Sequence, residues 1–245
     1  PFLLKLAQGG TAVGTGINTH KNFGKLVANE LSVSTGLAFS ESDNHFESQA
    51  TQDSIVHFSG TLKALSVSLY KIANDIRWLG SGPRSGLGEL VLPAIQPGSS
   101  IMPGKVNPVV CESLIQVSSQ VIGYDSAITL GGMGGVFELN LMLPLIGSNV
   151  LDSINILSNG MKMFREKLID DLSANEKKCN GYIEDSLAMC TSLAPIIGYD
   201  KAASIAKKAY KLDKTVREVC LEDNILSENE LNEGLKRFSE AVKDL

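Results

Sequence analysis

Residues 55–79, IVHFSGTLKALSVSLYKIANDIRWL, decide the fold class. Their apolar side chains stand alternately three and four positions apart, at Ile55, Phe58, Leu62, Leu65, Leu69, Ile72, Ile76 and Leu79. This heptad spacing places one apolar stripe along a helix, which at 1.5 Å per residue is roughly 35–40 Å long. A single helix that exposes so long an apolar stripe to water is unstable. The segment is therefore predicted to form a helix that packs side by side with other helices.

The same spacing occurs twice more along the chain. The second set is Val110, Leu114, Val117, Val121, Tyr124 and Ile128, and the third is Val150, Ile154, Leu157, Met161, Phe164 and Leu168. Phe137 and Leu141 precede the third set, and we expect its helix to be kinked at Pro144. A period of 3.5 residues favours the shallow crossings of a helical bundle, and two-residue alternation is almost absent. The sequence therefore predicts an all-α fold built on a long antiparallel helical bundle.

The pattern of helices divides the chain. From about residue 173 the periodic segments shorten to 183–193, 200–212 and 227–238, the last opened by a Ser227–Glu230 capping box. We therefore expect a central bundle domain over 1–172 and a small helical domain over 173–245. The connection 80–107 is dense in glycine and proline, and such a long connection in a bundle is usually functional.

Composition excludes several function classes. The net charge is −5 with both signs interleaved, which argues against a nucleic-acid surface. No apolar run approaches the roughly 18 residues of a membrane span. The four cysteines form no CxxC pair and the three histidines are scattered, so we expect reduced thiols, no metal site and no cofactor. Because the chain begins at Pro1, already in a helical pattern, we expect it to be a fragment.

The sequence GSSIMPGKVNP, residues 98–108, is the candidate site. Pro108 suits the first position of a helix, and Asn107 suits the N-cap, where its side chain accepts a bond from a free amide. A helix N-terminus beside Lys105 and two serines favours a small anion. The alternative is a flexible surface loop capped onto a helix, and capping is the simpler explanation of Asn107 alone. Arg77 and Arg84 could also attract an anion, but we expect both to form ion pairs within the fold.

The loop resembles the GSSxMPxKxNP signature of the fumarase/aspartase superfamily and matches every fixed position. Segments 6–18, 71–77, 80–84, 137–140 and 197–203 resemble that superfamily too. Gly104 and the stretch GTAVGTG are similar to the class II fumarases. The resemblance implies a metal-independent hydro-lyase that interconverts fumarate plus water and L-malate, needs no cofactor and forms a homotetramer. It also implies that the family's N-terminal domain is absent from this chain.

The resemblance implies a role for each site residue. Ser99 matches the family's catalytic base, whose oxyanion the loop amides and Lys105 would stabilise. Substrate binding falls to Ser100, Lys105, Val106 and Asn107. Glu112 matches the carboxylate that orients the family's catalytic histidine; the alternative is that it is simply an acidic residue of the first turn, stabilised by the helix dipole. None of the three histidines here matches that histidine, so this chain alone is expected to have little activity in a site shared between subunits.

Two other functions are compatible with the sequence. An ammonia-releasing relative of the aspartase type would use the same loop, and a non-catalytic oligomeric module would use only the bundle. We expect the protein in the cytoplasm, or in the mitochondrial matrix if its source is a eukaryote.

Overall fold

The computed structural model describes residues 2–82, 84–96 and 106–240, and this part of the chain is mostly helical. Its ten α-helices are α1 (Phe23–Thr35), α2 (His45–Ala50), α3 (Asp53–Leu79), α4 (Val109–Gly132), α5 (Leu143–Phe164), α6 (Glu176–Asp185), α7 (Met189–Ile197), α8 (Tyr199–Leu212), α9 (Val216–Glu222) and α10 (Glu228–Glu240). A 3₁₀ turn covers Phe2–Leu4, and a π-helical turn, Arg165–Ile169, continues α5. The prediction of an all-α fold is confirmed.

Six strands of two residues each accompany the described helices. They are β1 (Lys5–Leu6), β2 (Ser40–Glu41), β3 (Leu90–Val91), β4 (Gly135–Val136), β5 (Leu139–Asn140) and β6 (Ser173–Ala174). β1 pairs with β2 in parallel, whereas β3–β6 and β4–β5 are antiparallel pairs. Across the described ranges, every helix is too short or too polar to cross a membrane.

The chain separates into two units. The first comprises the described residues of Pro1–Gly80 and Leu92–Leu172, and the second those of Ser81–Val91 and Ser173–Leu245. Residues 81–91, which were predicted to belong to the bundle domain, therefore cluster with the second unit. The reason is local, because β3 pairs with β6 and the Tyr182 hydroxyl donates to the Leu87 carbonyl at 3.0 Å.

The three long helices α3, α4 and α5 form the core of the first unit. On α3, the buried heptad positions are held mostly by small residues, with Ser59, Ser66 and Ala73 at most 2% exposed. Two large apolar residues of the predicted stripe remain outside this seam, since Leu65 is 39% and Ile72 45% exposed. Heptad spacing is thus present, but the face that packs within the chain is displaced toward small side chains that let the helices approach closely.

The contact between α4 and α5 depends on glycine. A Cβ atom added at Gly131 of α4 would lie 2.6 Å from Cγ1 of Ile146, a side chain that is fully buried. A Cβ atom at Gly160 of α5 would lie 3.3 Å from Val117 and 3.4 Å from Leu114. Dense packing leaves no room for an added methyl group at Gly131.

The predicted kink at Pro144 is wrong. Instead, α5 begins at Leu143, with Pro144 in its first turn, where its missing N–H costs nothing. Residues 135–140 before it form the hairpin β4–β5. The buried Asn140 side chain fixes this turn by donating to the Gly131 carbonyl at 3.1 Å and accepting from the Met142 N–H at 2.7 Å.

The second unit has its own core. Its largest fully buried side chains are Leu193, Leu231, Val216, Val219 and Cys220. The predicted helix 183–193 is wrong, because Ser186 is extended and its hydroxyl accepts from the Ala188 N–H, which separates α6 from α7. The predicted capping box is confirmed, with reciprocal bonds between Ser227 and Glu230 at 2.8 and 3.4 Å.

Candidate functional site

Helix α4 begins at Val109, and Pro108 occupies its N-cap. The Pro108 carbonyl accepts the Glu112 N–H at 3.0 Å, and the Asn107 carbonyl accepts the Val109 N–H at 2.9 Å. The prediction that Asn107 caps the helix is wrong. The first helical hydrogen bond is accepted by the carbonyl of Pro108, so the N-cap position belongs to Pro108, whose side chain has no acceptor atom. Asn107 lies one position outside the helix, half-buried, and its side chain is not used in capping.

Three of the predicted site residues lie together at this end of α4. Val106 is 44% exposed, Asn107 follows it, and Glu112 lies in the first helical turn, half-buried. A carboxylate at this position is favoured by the positive end of the helix dipole. Glu112 has no ion pair with any residue of the described ranges. The other three predicted residues, Ser99, Ser100 and Lys105, lie outside the described residues.

Cys111 lies beside Glu112 and is fully buried. Burial raises the pKa of its thiol from 9.0 to about 11, the positive charge of Arg77 opposes this rise, and the negative charge of Glu112 adds to it. The thiol is therefore protonated at neutral pH, which removes it as a nucleophile. The charges of Arg77 and Glu112 both act on the first turn of α4.

Arg77 lies in the last turn of α3, next to the beginning of α4 in the antiparallel pair. Its Nη2 donates to Asn74 Oδ1 at 3.1 Å, and its guanidinium carbon lies 5.9 Å from the centre of the Trp78 ring. Neither Arg77 nor Arg84 forms the expected ion pair within the described part of the chain. The half-buried Arg77 side chain therefore carries a positive charge with no carboxylate partner among the described residues, and this charge acts on Cys111 in the first turn of α4.

Two of the three histidines, His20 and His45, form local hydrogen bonds. The Nε2 atom of His45 donates to the Gln8 carbonyl at 3.0 Å and lies 3.4 Å from Glu41, while Nδ1 of His20 accepts from the Asn22 N–H. The described ranges contain no group of three or more His, Cys, Asp or Glu side chains arranged to hold a metal ion.

A cavity of about 370 Å³, which the sequence did not predict, lies in the first unit beside the glycine-rich segment. Its walls include Gln8, Thr11, Gln49, Leu139 and Leu143. Gln49 Nε2 donates to the Thr11 carbonyl at 2.5 Å. The wall residues come from three separate stretches of the chain, within 7–23, 48–52 and 139–143, and for this reason no local sequence pattern indicates the cavity.

Two family models match the chain. A model described as lyase matches residues 1–123, and one described as the fumarase C C-terminus matches residues 189–237. The matches therefore include the glycine-rich segment, the candidate loop, the beginning of α4 and most of the second unit.

Curated relatives and solved structures agree with these models. The class II fumarate hydratase of Halalkalibacterium halodurans is 48% identical over 229 residues, which is 94% of this chain and 50% of the relative. The mitochondrial fumarate hydratase of Danio rerio is 48% identical over 96% of this chain and 46% of its own length. A crystal structure of fumarate lyase:delta crystallin from Brucella melitensis bound to cobalt superposes with a TM-score of 0.92 at 43% identity, covering 98% of this chain and 52% of that one.

The chain thus spans about half the length of the curated relatives it matches. Their similarity extends through the bundle helices as well as the loop, and the fumarase-specific model matches the second unit. The chain belongs to the lyase family, and within it to the group that contains the class II fumarate hydratases.

Proposed function

We propose that this chain forms part of a hydro-lyase that interconverts fumarate plus water and L-malate. The observation that carries the proposal is its 48% identity to class II fumarate hydratases over 94% of the chain, including every fixed position of the loop signature. The site residues that the structure describes are compatible with it. Val106, Asn107 and Glu112 meet at a helix N-terminus, a favourable environment for an anionic substrate.

In the proposed reaction, Ser99 in its oxyanion form removes a proton from the malate carbon next to one carboxylate. The electron pair of the broken C–H bond enters that carboxylate, which becomes an aci-carboxylate. The pair then returns to form the carbon–carbon double bond as the bond to the hydroxyl group breaks. A general acid from the part of the shared site outside this chain donates a proton to the departing hydroxide, which leaves as water, and no metal ion takes part.

Positive groups serve this reaction because the substrate carries two carboxylates and gains further negative charge as the proton leaves. Lys105, Asn107 and Ser100 are proposed to hold one carboxylate, together with the Val106 backbone. Charge-assisted bonds of this kind stabilise the transition state when they strengthen as charge accumulates. Lys105 and the amides at the N-terminus of α4 are proposed to supply that stabilisation.

The active site is proposed to be shared between subunits of a homotetramer. Glu112 would orient a histidine, and neither the two histidines with local hydrogen bonds nor the exposed His57 lies in a matching motif. Leu65 and Ile72, which lie outside the seam of α3, are large apolar residues that helices of other subunits would cover. A single copy of this chain therefore has little activity by itself. Its compartment is the cytoplasm, or the mitochondrial matrix in a eukaryote.

A chimeric enzyme tests the function directly. The chain would replace the matching half of the Halalkalibacterium halodurans fumarate hydratase, and turnover of malate and of aspartate would be measured. We expect malate turnover, and Ser99→Ala should reduce kcat by at least about a thousandfold, as loss of a reacting group does. Ser119→Ala, which changes an exposed serine of α4, is the matched control. Aspartate turnover without malate turnover would contradict the proposal, and normal kcat in Ser99→Ala would remove Ser99 from the mechanism.

The role of Glu112 has a separate test in the same chimera. Glu112→Gln keeps the shape of the side chain and removes its charge, so we expect kcat to fall at least about tenfold, as it does when a positioning carboxylate is lost. The pH profile should also shift, because the histidine loses a negative neighbour. A change confined to thermal stability would mean that Glu112 serves only the helix dipole.

The aspartase-type lyase and the non-catalytic module are the alternatives. The first differs only in the leaving group, and the aspartate assay distinguishes it. A chimera that assembles and is inactive toward both substrates would favour the module.

A further inference from the structure

Arg77 is held in a defined position at the end of α3. Its Nη2 atom donates to the Asn74 side chain, and its guanidinium carbon lies 5.9 Å from the centre of the Trp78 ring. The side chain is half-buried, so packing restricts its orientation as well. An arginine in the last turn of a helix also interacts favourably with the helix dipole, and this purely structural role is the alternative to a role in function.

No carboxylate among the described residues pairs with Arg77. The acidic residue nearest to it in sequence, Asp75, pairs with Lys71 instead. Charged side chains that are removed from water are usually paired, because their desolvation costs free energy. The Arg77 guanidinium is therefore able to interact with a negative group from outside the described residues, such as a bound anion.

The register of α3 and α4 places Arg77 level with the beginning of α4. Both Ser59 and Lys63 of α3 bond to Asp125 of α4, at 2.7 and 2.6 Å. The two helices are antiparallel and each rises 1.5 Å per residue, so equal numbers of residues are counted forward on α3 and backward on α4. Counted from these two contacts, Arg77 lies level with residues 107–111.

The charge of Arg77 acts inside the first turn of α4. At the buried Cys111 thiol, Arg77 opposes the rise in pKa that burial causes, and its effect is larger than the opposite effect of Glu112. Positive charge therefore predominates at this point, although Glu112 is the next residue along the chain. The unpaired amides of the first turn add to the positive potential there.

We propose that Arg77 helps the site at the beginning of α4 to select dianions over monoanions, by adding its positive charge to the field at that end of the helix. The inference rests on the proposed function, which supplies the dianionic substrate, and it adds Arg77 to the residues that recognise this substrate. Coulomb attraction is proportional to the charge of the ligand, so a dianion gains about twice the free energy that a monoanion gains.

The test uses the chimeric enzyme in its Ser99→Ala form, which should bind ligands without converting them. Binding of succinate, an unreactive dianion, and of succinamate, which has a similar shape and a single charge, would be measured by calorimetry at pH 8. We expect Arg77→Met to raise the Kd of succinate on the order of fivefold to tenfold and that of succinamate about two- to threefold. Equal factors for the two ligands, or no change in either, would overturn the proposal.

Two further measurements separate the charge of Arg77 from its packing. Arg77→Lys keeps the charge and loses the planar fork that meets Asn74, so the Kd of succinate should stay within about twofold of the parent chimera. The difference between Arg77→Met and the parent should also shrink as the ionic strength rises, because salt screens charge. An equal loss in both variants, or a difference that salt does not change, would mean that Arg77 only stabilises the end of α3.

Lys25→Met is the matched control. It removes a positive charge from an exposed position of α1 in the same unit, and Lys25 has no ion pair in the described ranges. Both Kd values should stay unchanged; a loss equal to that of Arg77→Met would reflect net charge alone and overturn the proposal. A parent chimera that binds neither succinate nor malate would contradict the proposed function and this inference together, whereas equal binding by parent and Arg77→Met would overturn this inference alone.

Discussion

The Ser59 hydroxyl of α3 donates to the Asp125 carboxylate of α4 at 2.7 Å, across a seam in which both residues are at most 4% exposed. The second Asp125 oxygen accepts from Lys63 at 2.6 Å, and the lysine side chain is 47% exposed. The Asp125 carboxylate is thus buried with a hydrogen bond to each of its two oxygens, while the side chain of its cationic partner, Lys63, is partly exposed to solvent. Such a pair at one heptad position fixes the relative register of two helices more than it adds stability.

Removing the carboxylate should destabilise the bundle. Asp125→Ala leaves the Ser59 hydroxyl buried without an acceptor, which costs about 1–3 kcal/mol, and opens a cavity as well. Urea unfolding measures the loss. With Ser59→Ala and the double variant, the cycle should show a coupling energy of about 0.5–3 kcal/mol. Additive single effects would mean that the two side chains act independently.

Two glycines of α4 should respond in opposite directions to alanine. Gly131→Ala places a methyl group 2.6 Å from Ile146 and should lower the free energy of unfolding by about 1–3 kcal/mol. At Gly123, the nearest atom to an added methyl group is Nε2 of the flexible Gln120 side chain at 3.8 Å. Gly123→Ala should therefore raise stability by up to about 1 kcal/mol through helix propensity. Equal effects in thermal unfolding would contradict the close approach of α4 and α5.

Stability of the second unit should depend on pH through Glu184. Arg217 donates to both oxygens of this carboxylate, at 2.7 and 2.9 Å, and these bonds lower its pKa below the ordinary 4.5. A lowered folded-state pKa gives stability that is present above the unfolded pKa and is lost as pH falls through the folded value. Because Glu184 is 39% exposed, Glu184→Gln should cost about 1 kcal/mol or less at pH 7.

The difference between wild type and Glu184→Gln should disappear in melts recorded below the lowered pKa. Asp185→Asn, at an exposed neighbouring position with no ion pair in the described ranges, should show no comparable pH dependence. A Glu184→Gln effect that stays constant down to acid pH would contradict the ion pair.

The thiols should differ sharply in reactivity. Burial raises the pKa of Cys111, Cys190 and Cys220, so these three are protonated and shielded at neutral pH. Cys179 is half-buried and should react first with a disulfide reagent. We expect about one fast thiol in the native chain and the remainder only after unfolding. Cys179→Ser should abolish the fast phase, and a fast phase that survives would contradict the burial of the other three.

Several features were predictable because they depend on local pattern. Heptad spacing predicted the long helices, and the Ser227–Glu230 spacing predicted a capping box; both are present in the structure. The family resemblance rested on a long signature in residues 98–108, and the comparisons confirm it. The roles of Ser99, Lys105 and the other loop residues stay predictions.

Other features could not be predicted from local sequence patterns. The hairpin at 135–140 was missed because the apolar spacing of Phe137 and Leu141 resembles a helix, whereas Asn140 binds backbone groups on both sides of the turn. The N-cap of α4 was predicted at Asn107 and lies one residue later, at Pro108. The N-cap is the residue whose carbonyl accepts the first helical hydrogen bond, and the sequence does not show which residue that is. Arg77 has no ion pair within the described residues, an outcome that depends on which carboxylates the fold brings near its guanidinium group.

The sequence by itself determined that this protein is a helical bundle of the lyase family, because heptad period and a contiguous signature are properties of neighbours along the chain. Only the tertiary structure decided which heptad residues form the seam, and that Ser59 and Lys63 meet Asp125. Those outcomes depend on contacts between side chains that lie tens of residues apart in the sequence. Dense packing of the core and the hydrogen bonding of buried polar groups decide which of these contacts form.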